Sequence, residues 1–144
     1  MRSSHRLDRV SVCFDDPRSV GHAGLLVTAS LGEHLGLPAM LDERVTVAAN
    51  AADKTLTVVH SLLAGGDCID DVDALRAGST AVVLGHRVAA PSTVGTFLRS
   101  FTPGHVGQLD SVCGELLARA WAHEPLRQSC VIDIDSTLCA TFGL

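Results

Sequence analysis

The sequence predicts a mainly α-helical chain with a few short strands, and three observations carry that prediction. Apolar residues make up 47% of the 144 residues but aromatics only 3%, so a core must be assembled from closely spaced Ala, Val and Leu, which suits packed helices. Apolar positions recur at spacings of three and four between capping and stopping residues. The pattern changes once, after a long helix, to an alternating stretch at residues 130–135. The chain therefore divides into a helical unit over residues 1–125 and the first element of a second unit over residues 130–144. With charged residues at 19%, the chain has enough apolar surface to bury a core, which excludes a disordered class.

In chain order, "RVSVCF" (9–14) alternates and is β-branched enough for a short strand, closed by the turn residues "DDP". Ser19 is placed to cap a helix over 21–36, with Leu25, Leu26, Ala29 and Leu35 inward and Gly36 as its stop. Pro38 starts a further turn of helix, and 44–47 is open to a strand. Asp53 is the expected cap of the next helix, in which Leu56, Val59, Leu62 and Leu63 follow helical spacing until Gly65 and Gly66. Asp67 begins a short helix with Ile69, Val72 and Leu75 three apart and Gly78 as its end. Its acids Asp70, Asp71 and Asp73 lie in the first turns, where the helix dipole favours them.

Ser92 is the expected cap of a helix carrying Val94, Phe97, Leu98 and Phe101 on one face. The clearest helix is 102–124, with Thr102 as cap and Pro103 at its first position. Val106, Leu109, Val112, Cys113, Leu116, Leu117, Ala120 and Trp121 form its apolar stripe, expected in the core. Each helix is too short to stand alone, so all must pack together.

Net charge is −5 and lysine occurs once, at Lys54, so the chain as a whole offers no general attraction to a polyanion. The local exception is the basic N-terminus, Arg2, His5, Arg6, Arg9 and Arg18, interrupted by Asp8, Asp15 and Asp16. Arg6, Arg9, Arg87 and Arg99 are the candidate contacts to DNA phosphates, a role suited to the forked donors of arginine. Five widely spaced cysteines without a CxxC pair argue against a disulfide framework and a zinc site, and fit a reducing cytoplasm. No run approaches the roughly 18 apolar residues of a membrane span, so no membrane partner is expected. Six histidines, His22, His34, His60, His86, His105 and His123, lack HxH or HExxH spacing and are expected at the surface or core edge. "AGGD" and "APSTVGT" match no nucleotide-binding loop.

The stretch "VIDIDST" (131–137) holds the chemistry. In an extended strand, Asp133 and Asp135 share a face with Cα atoms on the order of 6.6 Å apart, while Ile132 and Ile134 point the other way. Two such carboxylates repel unless compensated, and a hard divalent ion such as Mg²⁺ does that with oxygen ligands. Ser136 and Thr137 follow, with hydroxyls suited to a phosphate or to ligand support.

"DIDSTL" resembles the nucleophile motif of haloacid-dehalogenase-type phosphatases. That would make Asp133 the attacking carboxylate, Asp135 the acid/base and Thr137 the motif threonine, but there the motif opens the domain and a lysine and further acids follow. A longer resemblance runs through "VCFDDP", "HAGLLVTASLGEHLGL", "LLAGGDCIDDVDALRAG", "VLGHRVAAPSTVGTFLRSFTPGHVGQLDSV" and "IDIDST". Together these resemble the N-terminal part of bacterial insertion-sequence transposases with a DDE domain, group 1. The resemblance implies a helical N-terminal region, then the first strand of an incomplete ribonuclease-H-like α/β core. It makes Asp135 the first catalytic aspartate and a ligand of Mg²⁺ or Mn²⁺, with Asp133 a second metal candidate. The implied activity is metal-dependent DNA cleavage and strand transfer, with transposon-end DNA as partner and a homo-oligomer as the assembly. The family's second aspartate and its glutamate lie further downstream, so the 144 residues alone are expected to be inactive. A small helical interaction protein with purely structural aspartates is the alternative of a different class.

Overall fold

The computed structural model describes residues 16–123 and 132–134. Among them the chain forms seven α-helices: α1 (Leu25–Leu35), α2 (Leu37–Arg44), α3 (Ala51–Leu63), α4 (Val72–Arg76), α5 (Thr80–Leu84), α6 (Pro91–Arg99) and α7 (Pro103–Ala122). A 3₁₀ turn, Ile69–Asp71, leads directly into α4. The mainly α expectation therefore holds for the described residues, and no strand occurs among them. A lone antiparallel bridge joins Val20 to Gly78.

Several boundaries were legible and several moved. Gly36 does end α1, in the left-handed conformation at φ 78°, and it also opens α2, with Pro38 in the first turn. Two helices thus meet at a single residue that only glycine occupies without cost. The start of α1 lies at Leu25, not at 21. Ser19 does not cap it, because its carbonyl accepts from Ser79 N–H at 2.9 Å beside the Val20–Gly78 bridge. The N-cap of α3 is Asn50, at φ 53°, and Asp53 lies inside the first turn. Ala90, not Ser92, precedes α6, whose first turn holds Pro91. The strand considered at 44–47 is replaced by side-chain pairing. Thr46 N–H donates to Gln108 Oε1 at 3.0 Å and Gln108 Nε2 donates to Thr46 Oγ at 2.9 Å, which pins the extended residues after α2 to α7.

The helices pack around two apolar clusters. The larger joins Met40 and Leu41 of α2, Val45, Ala51, Ala52 and Leu56 of α3, Phe97 of α6 and Val112 of α7. The smaller joins Leu25 of α1, Leu75 of α4, Leu84 of α5 and Val88 after it. Thr102 and Pro103 start α7 as the sequence implies, with His105 in the reciprocal position of a capping box: Thr102 N–H donates to His105 Nδ1 at 3.2 Å. The stripe of α7 is largely uncovered, however. Val112 alone is fully buried, Leu109 and Leu116 pack on the larger cluster, and Val106, Leu117 and Trp121 are exposed. Polar ties hold the helix instead, among them Arg119 Nη1 to the Leu35 carbonyl at 2.9 Å and Arg44 Nη1 to Ser111 Oγ at 3.2 Å.

The strand expected at 9–14 and most of the stretch 130–144 lie outside the described residues. Residues 132–134 carry no sheet pairing among those described, and Ile132 and Ile134 are exposed. No described helix is long and apolar enough to cross a membrane.

Candidate functional site

The sequence-predicted residues are dispersed. Asp133 is exposed and its carboxylate is chemically fit for a hard cation such as Mg²⁺. It belongs to no group of three described ligand side chains. Asp135, Arg6 and Arg9 lie outside the described residues. Arg87 is exposed in the segment after α5. Arg99 is exposed at the end of α6, where its Nη2 reaches Thr96 Oγ at 3.5 Å.

One cluster does bring three potential ligands together, Asp67, Cys68 and Asp71. Asp71 Oδ2 accepts backbone N–H bonds from Asp67 and Cys68, each at 2.9 Å. Those bonds, Cys68 first, hold the Asp71 carboxyl below its ordinary range. The carboxylate is therefore a clasp on the 3₁₀ turn, and its charge is already answered by backbone donors.

The most organised polar feature was not legible as a motif. Thr57, His60 and Ser61 are all at least nine-tenths buried on one side of α3. Thr57 Oγ donates to the Asp53 carbonyl at 2.7 Å and accepts the Ala89 N–H at 3.0 Å. One turn later, His60 Nδ1 lies 2.8 Å from His86 Nε2. The rings are 5.0 Å apart between centroids and tilted by only 15°. That separation is close to the nitrogen–nitrogen distance plus the two ring radii, so the rings meet edge to edge in nearly one plane. His86 Nδ1 faces the Arg87 carbonyl at 3.3 Å. A carbonyl only accepts, so Nδ1 carries the proton, His86 Nε2 accepts, and His60 Nδ1–H donates to it.

Burial above all, and then the neighbouring imidazole, lower the His60 pKa to about 4. Burial also lowers that of His86, against the raising effects of the Arg87 carbonyl, Asp53 and Glu33. The pair is neutral at neutral pH. Two nitrogens aimed at one another suit a shared proton; a tetrahedral metal between them would require both rings to tilt away from the common line. The cavity they border with Glu33 and Thr28 holds about 40 Å³, room for water and no substrate. His60 and His86 therefore act as a latch between α3 and the segment before α6. A polar i, i+3, i+4 set, Thr57, His60 and Ser61, among the apolar residues of the second half of α3 was the available signal; the partner 26 residues away was not readable locally.

A second polar feature is an open groove of about 320 Å³ beside α6, lined by Lys54, Ser92, Thr93, Thr96 and Ser100 over Ala48 and Phe97. Lys54 Nζ donates to the Ala49 carbonyl and lies 5.7 Å from the centre of the Phe97 ring. Among the described residues no carboxylate pairs with this ammonium.

No protein-family model matches the chain, and neither a curated protein nor a solved structure matches it.

Proposed function

We propose that the chain is the helical N-terminal region of a bacterial insertion-sequence DDE transposase together with the strand that opens its ribonuclease-H-like core. The observation that carries the reading is the ordered series of motifs from "VCFDDP" to "IDIDST" along most of the chain. The helical architecture over Leu25–Ala122 is compatible with it, and so is the exposure of Asp133 after α7. In this reading Asp135 is the first catalytic aspartate, Asp133 assists in holding Mg²⁺ or Mn²⁺, and the partner is transposon-end DNA in a homo-oligomeric assembly.

Bound metal supplies charge stabilisation and an activated oxygen for phosphoryl transfer. Two-metal chemistry needs several converging carboxylates, and Asp133 and Asp135 provide two. The function proposed for these residues is DNA handling and metal recruitment. Titrating the protein with Mg²⁺ or Mn²⁺ under NMR tests it. Saturable shifts centred on residues 132–136, lost in Asp135→Ala and weakened in Asp133→Ala, are expected. Absence of any specific effect up to millimolar metal would leave both aspartates structural. The uncovered apolar side chains of α7, Val106, Leu117 and Trp121, favour a second reading as a helical interaction module, which that outcome would promote.

A further inference from the structure

We propose that the groove between the start of α3 and the length of α6 is a binding site for the phosphodiester backbone of DNA, with Lys54 as its central cation. The proposal rests on the DNA-handling reading and assigns it a surface that the motifs do not indicate.

In a chain of net charge −5 with a single lysine, the groove gathers that lysine with four hydroxyl side chains and no carboxylate. Ser92, Thr96 and Ser100 recur every four residues and so form one stripe along α6, with Thr93 beside it. The stripe extends on the order of 12 Å at 1.5 Å per residue, long enough for two consecutive phosphates of a strand. Arg99, exposed, reaches back toward the middle of the stripe, with its Nη2 at 3.5 Å from Thr96 Oγ.

The Lys54 ammonium is held by the Ala49 carbonyl and by the face of Phe97, a ring that is itself buried in the larger cluster. One of its three donors is used and two remain. Holding a flexible side chain in one place removes part of the entropy that a surface lysine loses on meeting a phosphate. Thr96 Oγ and Ser100 Oγ donate to carbonyls one turn back, at 3.0 and 2.9 Å, so their positions are fixed while their oxygens can still exchange that bond for a phosphate.

Ala90 precedes α6 and supplies no capping side chain, so the first-turn N–H groups at Ser92 and Thr93 have no intrahelical acceptor. Their partial positive charge and the Lys54 ammonium belong to the same groove, where no acidic side chain offsets them. A phosphate oxygen meets all three kinds of donor.

NMR titration of the full chain separates the outcomes, using a short duplex oligonucleotide and, in parallel, inorganic phosphate. Duplex is expected to shift the amides of Lys54, Ser92, Thr93, Thr96 and Ser100. Lys54→Gln should weaken duplex binding roughly tenfold and reduce the slope of log affinity against log salt by about 1. Thr96→Glu, at an exposed position, should weaken it further by placing a carboxylate in the groove, so the test does not hang on one variant. Duplex binding that maps elsewhere and ignores both variants overturns the groove while leaving the DNA-handling reading intact. Shifts with phosphate but none with duplex reduce the groove to a small-anion site and overturn the assignment to DNA. Absence of duplex binding anywhere overturns both.

Discussion

The two apolar clusters are built by different means, and the contrast shows where this fold is robust. The larger draws on four helices, α2, α3, α6 and α7, and includes residues such as Leu41 at 1% exposure and Phe97 at 3%. The smaller is assembled from α1 and the two five-residue helices α4 and α5, with Leu75 at 0% as its central side chain. Helices of five residues have no independent stability. That region depends on polar ties: the Val20–Gly78 bridge, Gly21 N–H to Thr80 Oγ at 3.0 Å, Thr57 to Ala89, and His60 to His86. Apolar area dominates in the first region, where only α7 adds polar ties such as Thr46–Gln108 and Arg44–Ser111, and specific hydrogen bonds dominate in the second.

Truncating one leucine on each side probes this division most strongly. Leu41→Ala should cost about 3–4 kcal/mol, because four helices surround the cavity and cannot collapse into it. Leu75→Ala should cost about 2–3 kcal/mol, since short helices on a small cluster can close part of the gap. Denaturant unfolding gives the totals and hydrogen exchange gives the distribution. The Leu41 variant is expected to raise exchange throughout the chain, the Leu75 variant first in α4 and α5. Equal loss of protection everywhere in both variants would show the two clusters to be one cooperative unit.

The same contrast explains what was legible in the sequence. Gly36, Thr102 and Pro103 are local signals and specify their boundaries wherever the helices pack. The inward face of α3 is not local: Leu62 and Leu63 share the helical spacing of Leu56 yet are exposed, while Thr57, His60 and Ser61 are buried. Hydrogen-bond partners on the segment around residues 86–89 turned that face inward, and α5, which contributes Leu84, carries too few residues to show a period. For the candidate sites, the hydroxyl spacing of α6 and the solitary Lys54 were visible, but their convergence on one groove was not. The His60–His86 pair had no sequence signature because its members belong to different elements.

Acid tests the latch next. Unfolded imidazoles take up protons near pH 6.5, whereas His60 in the fold resists until about 4. Between those values the unfolded chain binds more protons, so stability is fully present above about pH 6.5 and drains as pH falls toward 4. The effect should be on the order of 2 kcal/mol, below the full linkage value because water reaches the neighbouring cavity. His86 is shifted in the same direction. Thermal unfolding between pH 7.5 and 4 measures the loss, and His60→Gln should flatten the profile. Exchange should rise first around residues 86–89 and α5, the side held by polar ties. A profile unchanged by the substitution would remove His60 as the source of the acid sensitivity and leave His86 as the first candidate.

Two glycines that end helices give the finest comparison. Gly36, at φ 78°, and Gly85, at φ 73°, both take the left-handed conformation that an L side chain adopts at a cost of about 1 kcal/mol. A Cβ at Gly85 meets nothing within 4 Å, so Gly85→Ala should show that conformational cost alone. At Gly36 the added carbon would lie 2.6 Å from Arg119 Nη1, the donor that satisfies the Leu35 carbonyl. The guanidinium can swing aside, but the last turn of α1 then loses its tie to α7. Gly36→Ala should therefore cost roughly 1 kcal/mol more than Gly85→Ala. Adding Arg119→Ala to each variant isolates the difference: it should remove the excess at Gly36 and leave the Gly85 value unchanged. An equal cost at both positions would mean that Arg119 contributes no net stability, and that α7 is held to this end of the molecule by Val112 and its apolar neighbours.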